Sequence, residues 1–587
     1  MTKDIHQLLH QHFGYREFRS GQEEAIKSIT NKEDTVVVLP TGGGKSLIYQ
    51  LSALALEGVT IVISPLISLM KDQVDSLNEL KIPATYINSS LPLMESERRL
   101  EGIRNNEYKL IYIAPERFYN QNFITALQNT KVSLFAIDEA HCISQWGHDF
   151  RPSYMRLKQV VKNIGNPVVA ALTATATPEV RKDIARQLDL GDNYNLIISG
   201  FARENLHFGA VEASDFQKNS LIIDAVKGVE GGSGIVYVGT RSKAEELVES
   251  LLAEDIQSAT YHAGMDPSSR EWVQDNFLNN NIQVVVATNA FGLGINKKDV
   301  RFVIHHDIPG TLEAYYQEAG RAGRDGKASF CMLFFSPKDR YLREFFIKGD
   351  NPSPQTIAEI HEILLDFSHE QGTKVIMFTY SDLVSRLSDS VPEMAVGTSI
   401  KLLEKEGLIQ RNKEKNGAAY LKALAIENEL KDAISTRAKK QHEILDKILD
   451  NYYDEFKQGW SFSIEDLATS LNVKKDSVSR LIKNLQEQDL VEYKPPFKGT
   501  ELEILDDTSN VSDKIDFSVL EEKLQKSYEK LDKMENYVYN VFCRQKYILE
   551  YFGDPEIKDC GKCDNCMKAN RSMKKDNIDY REKEYLI

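Results

Sequence analysis

From residue 35 to about residue 335, short β-branched runs alternate with longer segments of helical periodicity, and this alternation restricts the fold more than any other feature of the chain. Runs at 35–39, 60–63, 110–113, 134–137 and 168–172 form a first series, and runs at 235–238, 284–287, 302–304 and 330–334 form a second. Strands that alternate with helices imply parallel sheets covered on both faces. A polar stretch at 199–205 separates the two series, and a glycine-rich approach at 226–234 leads into the second core. The expectation is two α/β domains, residues 1–204 and 205–345.

After KGDNPSP at 348–354 the alternation stops and helical patterns dominate, so a boundary is expected there. Segments 382–409 and 464–491 share one plan of helix, turn, helix, strand, the plan of a winged helix-turn-helix. They predict modules at 355–430 and 435–510, the second closed by a wing turn at 493–500 and a strand at 501–505. A charged helical stretch at 521–542 opens a further module, 511–570, and residues 571–587 read as a polar, frayed tail. At 587 residues, a chain of several domains is expected, since domains average roughly 150 residues.

Asp and Glu exceed Lys and Arg, 87 against 72, for a net charge of −15. That excludes nucleic-acid binding by bulk positive charge and confines any such site to a local groove. The first residues carry neither an apolar signal core nor an Arg-rich transit pattern. No apolar run approaches the ~20 residues of a membrane span. A soluble cytoplasmic protein is expected, nucleoid-associated in a bacterium, with no membrane partner.

PTGGGKS at 40–46 follows an expected strand and precedes a helical run, the context of a phosphate-binding loop. Backbone N–H groups of Thr41, Gly42, Gly43, Gly44 and Lys45 would cradle phosphate oxygens, Lys45 would reach the β- and γ-phosphates, and Ser46 would ligate Mg²⁺. Leu39 stands where the strict motif has its first glycine, so the bare segment also fits a structural turn. DEAH at 138–141 ends another strand. There Asp138 suits Mg²⁺ binding and Glu139 suits polarisation of the attacking water, an acidic surface turn being the alternative. QEAGRAGR at 317–324 offers Arg321 and Arg324 as arginine fingers reaching a γ-phosphate across a cleft, or as surface arginines paired with Glu318 or Asp325.

With these motifs, the segments FGY at 13–15, FR at 18–19, Gln22, SPLISLMKDQ at 64–73, LTAT at 172–175 and QEAGRAGRDG at 317–326 resemble the RecQ family of superfamily-two DNA helicases over residues 5–340. The resemblance implies an α/β fold of two tandem RecA-like parallel-sheet domains, and this chain's own patterns add helical winged-helix modules and then a C-terminal zinc-binding module with four cysteine ligands. It also implies an ATP-driven motor moving 3′ to 5′ on single-stranded DNA. By that resemblance Tyr15, Arg19 and Gln22 contact adenine, and Gln317 joins them at the nucleotide. Single-stranded and branched DNA would be substrates in recombination and repair. Single-strand-binding or repair proteins would be partners of a monomer. An RNA helicase and a non-unwinding ATP-dependent regulator are the alternatives.

HCISQWGHDFRP at 141–152 resembles the aromatic-rich loop of that family. Trp146 and Phe150 offer stacking faces and Arg151 a phosphate or cation–π contact. Thr173 and Thr175 are expected to link the nucleotide and DNA sites, with Thr173 counted among the DNA-binding residues. Further DNA contacts are expected at strand-end loops, from Lys71, Arg241, His262 and Thr288, and from Lys474 and Arg480 on the second winged module's recognition helix.

Four of the six cysteines, Cys543, Cys560, Cys563 and Cys566, are spaced as a tetrahedral zinc site, with unrelated thiols or an iron–sulfur cluster as alternatives. In the resembled family zinc follows the motor directly and precedes the winged helix. Here residues 346–542 intervene, which puts the winged-helix geometry in doubt. The expected cofactors are ATP, Mg²⁺ and Zn²⁺.

Overall fold

The computed structural model describes residues 4–88, 91–147, 149–229, 231–292, 297–388, 391–411, 418–435, 438–494, 500–507, 511 and 514–571. The chain forms two compact units: Met1–Arg343 together with Lys526–Ile587, and Glu344–Gln525. No described helix is long and apolar enough to cross a membrane.

The first unit holds two sheets. β1 (Thr35–Val38), β2 (Val59–Ile63), β3 (Ala84–Ile87), β4 (Leu110–Ile113), β5 (Val132–Ile137), β6 (Val168–Thr173) and β7 (Asn195–Ile198) lie in the order β3-β4-β2-β5-β6-β1-β7. The second sheet contains β8 (Leu206–Glu212), β9 (Ser233–Tyr237), β10 (Ser258–Tyr261), β11 (Val284–Ala287), β12 (Val300–His305) and β13 (Ser329–Phe335), in the order β10-β11-β9-β12-β13-β8. Every pairing in both sheets is parallel. The strands that sequence patterning overlooks are β3, β7, β8 and β10, the four sheet edges. Edge strands are covered less completely and so need no unbroken apolar run: all of β10 is only half-buried, whereas all of β11 is buried.

The end of the chain returns to this unit. The Phe552 ring stacks on Phe201 at 5.1 Å and 3°, and the Asp554 carboxylate accepts the Phe201 N–H at 3.2 Å. Arg181 donates to the Phe552 carbonyl. Asp564 accepts the Ala210 N–H at 3.3 Å, occupying a donor on edge strand β8. Arg340, just beyond β13, pairs with Asp532 at 2.8 Å and with Glu535. The cysteine-bearing segment therefore packs directly on the two α/β domains, although residues 346–542 separate them in sequence.

The second unit contains two three-stranded antiparallel sheets. β14 (Val375–Phe378), β15 (Ile409–Arg411) and β19 (Thr500–Ile504) form one, in the order β14-β19-β15. β16 (Ala418–Ala423), β17 (Trp460–Ser463) and β18 (Val491–Lys494) form the other, in the order β17-β16-β18. With the helices Tyr380–Arg386 and Glu393–Lys405 in the first, and Ile464–Ser470 and Lys475–Gln486 in the second, each has a winged-helix plan.

The strand expected at 501–505 does not close the second module. It pairs instead with β14 and β15, while β16 occupies the equivalent place in the second sheet. Leu502 and Ile504 sit in the core with Ile357 and Ile400; Ala419 and Leu421 sit in the core with Ile444 and Leu481. Both strands present alternate apolar residues, so the pattern fits either sheet and cannot choose between them. Of the wing turn expected at 493–500, residues 495–499 lie outside the described residues, as does the tail from 572.

Candidate functional site

Between β1 and the helix Lys45–Ala55, Gly42 (φ 81°) and Gly44 (φ 80°) take left-handed backbone, which turns successive N–H groups toward the helix N-terminus. Lys45 Nζ donates to the Leu39 carbonyl at 3.3 Å. Gln22 is 2% exposed; its amide donates to the Gly43 and Gly44 carbonyls at 3.1 Å each, and its oxygen accepts the Arg19 N–H at 2.9 Å. Arg19 donates to the Gly42 carbonyl. Two of the expected adenine contacts thus brace the phosphate loop from behind. Tyr15, 57% exposed, presents its ring outward rather than to the core.

Asp138 and Glu139 follow β5. Asp138 is buried, and its carboxyl is pushed up to about 7 by burial and by the neighbouring Glu139 charge, with Lys45 opposing. Glu139 takes left-handed backbone (φ 48°), a conformation costing on the order of 1–3 kcal/mol in a non-glycine residue. Its buried Oε2 makes no hydrogen bond, and His141 Nδ1 lies 3.4 Å away. A buried and a half-buried carboxylate side by side near one lysine are a donor set that fits a hard divalent cation. His141 is buried and shares a 2.9 Å hydrogen bond with the Thr173 hydroxyl, which also accepts the Thr175 N–H. Thr173 is fully buried and links the acidic motif to the end of β6.

The segment that follows the helix Leu312–Ala319, in which Gln317 is half-buried, lies against the phosphate loop from the second sheet's side. A Cβ added to Gly320 would meet the Thr41 side chain at 3.1 Å, and one added to Gly42 would meet Arg324 Cγ and Arg203 Nη1 at 3.7 Å each. A side chain at 320 would crowd this approach. Arg324 lies against the loop and is pulled down to about 10 by burial, then by Arg321 and Arg203. Arg321 is turned to the Gly292 carbonyl. Lys45, Arg203, Arg321 and Arg324 thus gather in one cleft, a concentration of cations that suits a polyanion.

In the aromatic loop Trp146 and Phe150 are half-buried. Lys526 Nζ lies 3.4 Å from the Trp146 ring centre and 2.7 Å from Glu179, and Lys530 donates to the Trp146 carbonyl. Arg151 is bonded to Asp149 at 3.2 Å and to the Pro65 carbonyl at 3.2 Å, tying this loop to the segment that carries Lys71. Lys71 and Arg241 are exposed and Thr288 is half-buried. His262 is 8% exposed with Nε2 3.6 Å from Glu245. In the second unit Lys474 and Arg480 are exposed on the face opposite Val478, Leu481, Ile482 and Leu485.

Cys543, Cys560, Cys563 and Cys566 bring their Sγ atoms within 4.8 Å of one another. Backbone N–H groups point at the sulfurs: Cys560 N to Cys543 Sγ at 3.2 Å, Cys563 N to Cys560 Sγ at 3.3 Å, Arg544 N to Cys563 Sγ at 3.4 Å. N–H donors around four converging sulfurs favour thiolates, and four thiolates fit a closed tetrahedral zinc site. Arg544 pairs with Asp564 at 2.6 Å, and Asp564 in turn holds β8, so the site is fastened to the second sheet.

Residues 19–184 match the DEAD/DEAH box helicase family model, 217–326 the helicase conserved C-terminal domain and 505–567 the RecQ zinc-binding model. The chain is 39% identical over 412 residues to the probable ATP-dependent DNA helicase RecS of Bacillus subtilis (strain 168), covering 69% of this chain and 82% of that protein. The chain belongs to the RecQ family. It is 48% identical over 368 residues to the ATP-dependent DNA helicase RecQ of the same organism, and 44% identical over 376 residues to that of Pasteurella multocida (strain Pm70). Those matches cover 62% and 64% of this chain but only 62% and 59% of the two relatives.

All four thiols fall inside the RecQ zinc-binding match, which decides for zinc over an iron–sulfur cluster. In this RecQ-family chain the residues that sequence reasoning missed are Arg203 and Asn205 between the sheets, and Lys526 and Lys530 over Trp146. Arg203 and Asn205 lie in the polar stretch read only as a separator, and their partners are backbone carbonyls, which leave no trace in sequence.

Proposed function

We propose that this chain is an ATP-dependent DNA helicase that hydrolyses ATP between its two RecA-like domains, moves 3′ to 5′ on single-stranded DNA and unwinds duplex or branched DNA. The observation that carries the reading is Arg324 lying against the phosphate loop from the opposite sheet, within electrostatic reach of Glu139. Lys45 holds the β- and γ-phosphates, and Glu139 polarises the attacking water. Arg324 stabilises charge on the transferred phosphoryl, a role that its position against the phosphate loop supports. Ser46 and Asp138 would hold Mg²⁺, which supplies charge neutralisation at the phosphates. Because the finger and the phosphate loop come from different domains, hydrolysis requires closure, and closure is the mechanical step.

The His141–Thr173 bond supports coupling between the acidic motif and the segments that follow β5 and β6. Trp146 and Phe150 would stack on bases, with Lys71, Arg151, Arg241 and Thr288 along the backbone path. Lys474 and Arg480 would contact duplex phosphates. Choice of DNA over RNA rests on the RecQ zinc-binding match, the aromatic loop and the relatives' names. The test is ATP turnover with single-stranded DNA or RNA, using Lys45→Ala as control. DNA-stimulated turnover abolished in the variant is expected. Preferential stimulation by RNA would favour the RNA-helicase reading, and no turnover a binding protein.

A further inference from the structure

We propose that Arg203 is a positioning residue for ATP hydrolysis, a fork that sets the arginine-finger segment in register with the phosphate loop; the proposal rests on the hydrolytic reading above. Its Nη1 donates to the Thr41 carbonyl at 2.8 Å and the Gly320 carbonyl at 3.2 Å. Its Nη2 donates to the Ala322 carbonyl at 2.9 Å and the Gly323 carbonyl at 3.1 Å. Two nitrogens with two hydrogens each therefore meet four carbonyls, one from the phosphate loop and three from the finger segment. Asn205 adds its amide to the Gly323 and Lys327 carbonyls at 2.7 and 2.9 Å.

The finger segment needs such a fixture. Gly320, Gly323 (φ 57°) and Gly326 (φ 81°) leave its backbone free to adopt many conformations, and Arg321 and Arg324 ride on it. Arg203 lies on the only stretch of chain that runs directly from β7 of the first sheet to β8 of the second, with Phe201 anchored by Asp554 and Phe552 two residues earlier. The fork thus acts from the pivot between the domains, and it acts on the carbonyl face of the finger segment rather than on the substrate. A planar guanidinium matches four fixed acceptors; an ammonium with three donors on a flexible stem does not.

The experiment measures kcat and KM for DNA-stimulated ATP hydrolysis in the full chain and in Arg203→Ala, Arg203→Lys, Arg324→Ala and the Arg203→Ala/Arg324→Ala double variant. Tm and bound zinc serve as controls for folding. Misplacing a catalytic group by about 1 Å costs up to about 100-fold in rate, so Arg203→Ala is expected to lower kcat by about 10- to 100-fold. KM for ATP stays within about threefold, because the phosphate loop keeps its own shape. Arg203→Lys, which keeps the charge and guards against a folding defect, fails to rescue. The double variant is no slower than Arg324→Ala alone, since Arg203 acts through the finger. Wild-type kcat in Arg203→Ala, rescue by lysine, or a double variant slowed by the product of the two single effects overturns the fork. A wild-type chain without turnover overturns the hydrolytic reading and the fork with it; an active wild type with an unaffected Arg203→Ala overturns the fork alone.

Discussion

Lys526 Nζ stands 3.4 Å from the centre of the Trp146 ring, covering the face that a base would stack on. Glu179 holds the same ammonium at 2.7 Å, and Lys530 fixes the Trp146 carbonyl from the next helical turn. The aromatic loop is therefore held from the segment that leads into the zinc site.

A cation–π contact at a partly exposed site contributes about 0.5–1 kcal/mol, which binding to Trp146 must displace. Lys526→Ala is expected to tighten single-stranded DNA binding by about two- to fivefold without nucleotide, read by fluorescence anisotropy. Adding Trp146→Ala should erase the difference. Weaker binding in Lys526→Ala would make that lysine a DNA contact instead.

Glu139→Gln is expected to bind ATP with an affinity close to wild type and to lose hydrolysis by about 100- to 10,000-fold, the range of general-base removal. Single-turnover hydrolysis alongside equilibrium nucleotide binding separates the two effects. Normal turnover would remove Glu139 from the mechanism.

The motifs that sequence reasoning caught are local. The phosphate loop, DEAH and the finger segment each act through residues within a few positions of one another, and three of the four clustered cysteines fall within seven residues, so spacing alone exposes them. Central strands were legible because burial on both faces demands unbroken apolar runs; the four edge strands were not. Lys526 and Trp146 are brought together only by the return of the chain end, and Arg203 meets carbonyls of Thr41 and Gly320 that no pattern marks. Burial at strand ends was not legible either: Thr173 and His262 are buried, and a sequence reading cannot tell a buried hydroxyl or ring there from a surface one. The exchange of β16 and β19 was invisible for the same reason that alternation is informative, since both strands satisfy it equally.

Zinc should be present at one atom per chain, measured by elemental analysis, and thiol modification should release it. Because Asp564 and Asp554 tie the module to Ala210 and Phe201, removal is expected to lower Tm and raise hydrogen exchange along β8. A folded, metal-free chain with four reactive thiols and unchanged exchange would contradict the site.

Asp307 supplies a pH prediction. Burial alone would raise its carboxyl, but His306, whose Nδ1 lies 3.1 Å from it, and then Lys243 hold it well below its ordinary value of 3.8. It accepts the Gly239 N–H at 2.7 Å and pairs with Lys243 at 2.7 Å, with Lys218 at 3.7 Å and Asp339 and Arg343 also facing it. A depressed folded-state value contributes stability above the ordinary value that is lost as pH falls below it. Asp307→Asn is expected to cost on the order of 2 kcal/mol near neutrality. The gap in Tm between the two proteins should narrow as pH drops below about 4. A gap independent of pH would show that the charge contributes nothing.

The most direct test of the central claim is ATP-dependent strand separation on matched DNA duplexes carrying a 3′ or a 5′ single-stranded tail. Unwinding of the 3′-tailed duplex alone, abolished in Lys45→Ala and in Arg324→Ala, is the predicted result. Unwinding from the 5′ tail, or DNA-stimulated hydrolysis with no strand separation on either substrate, would contradict it.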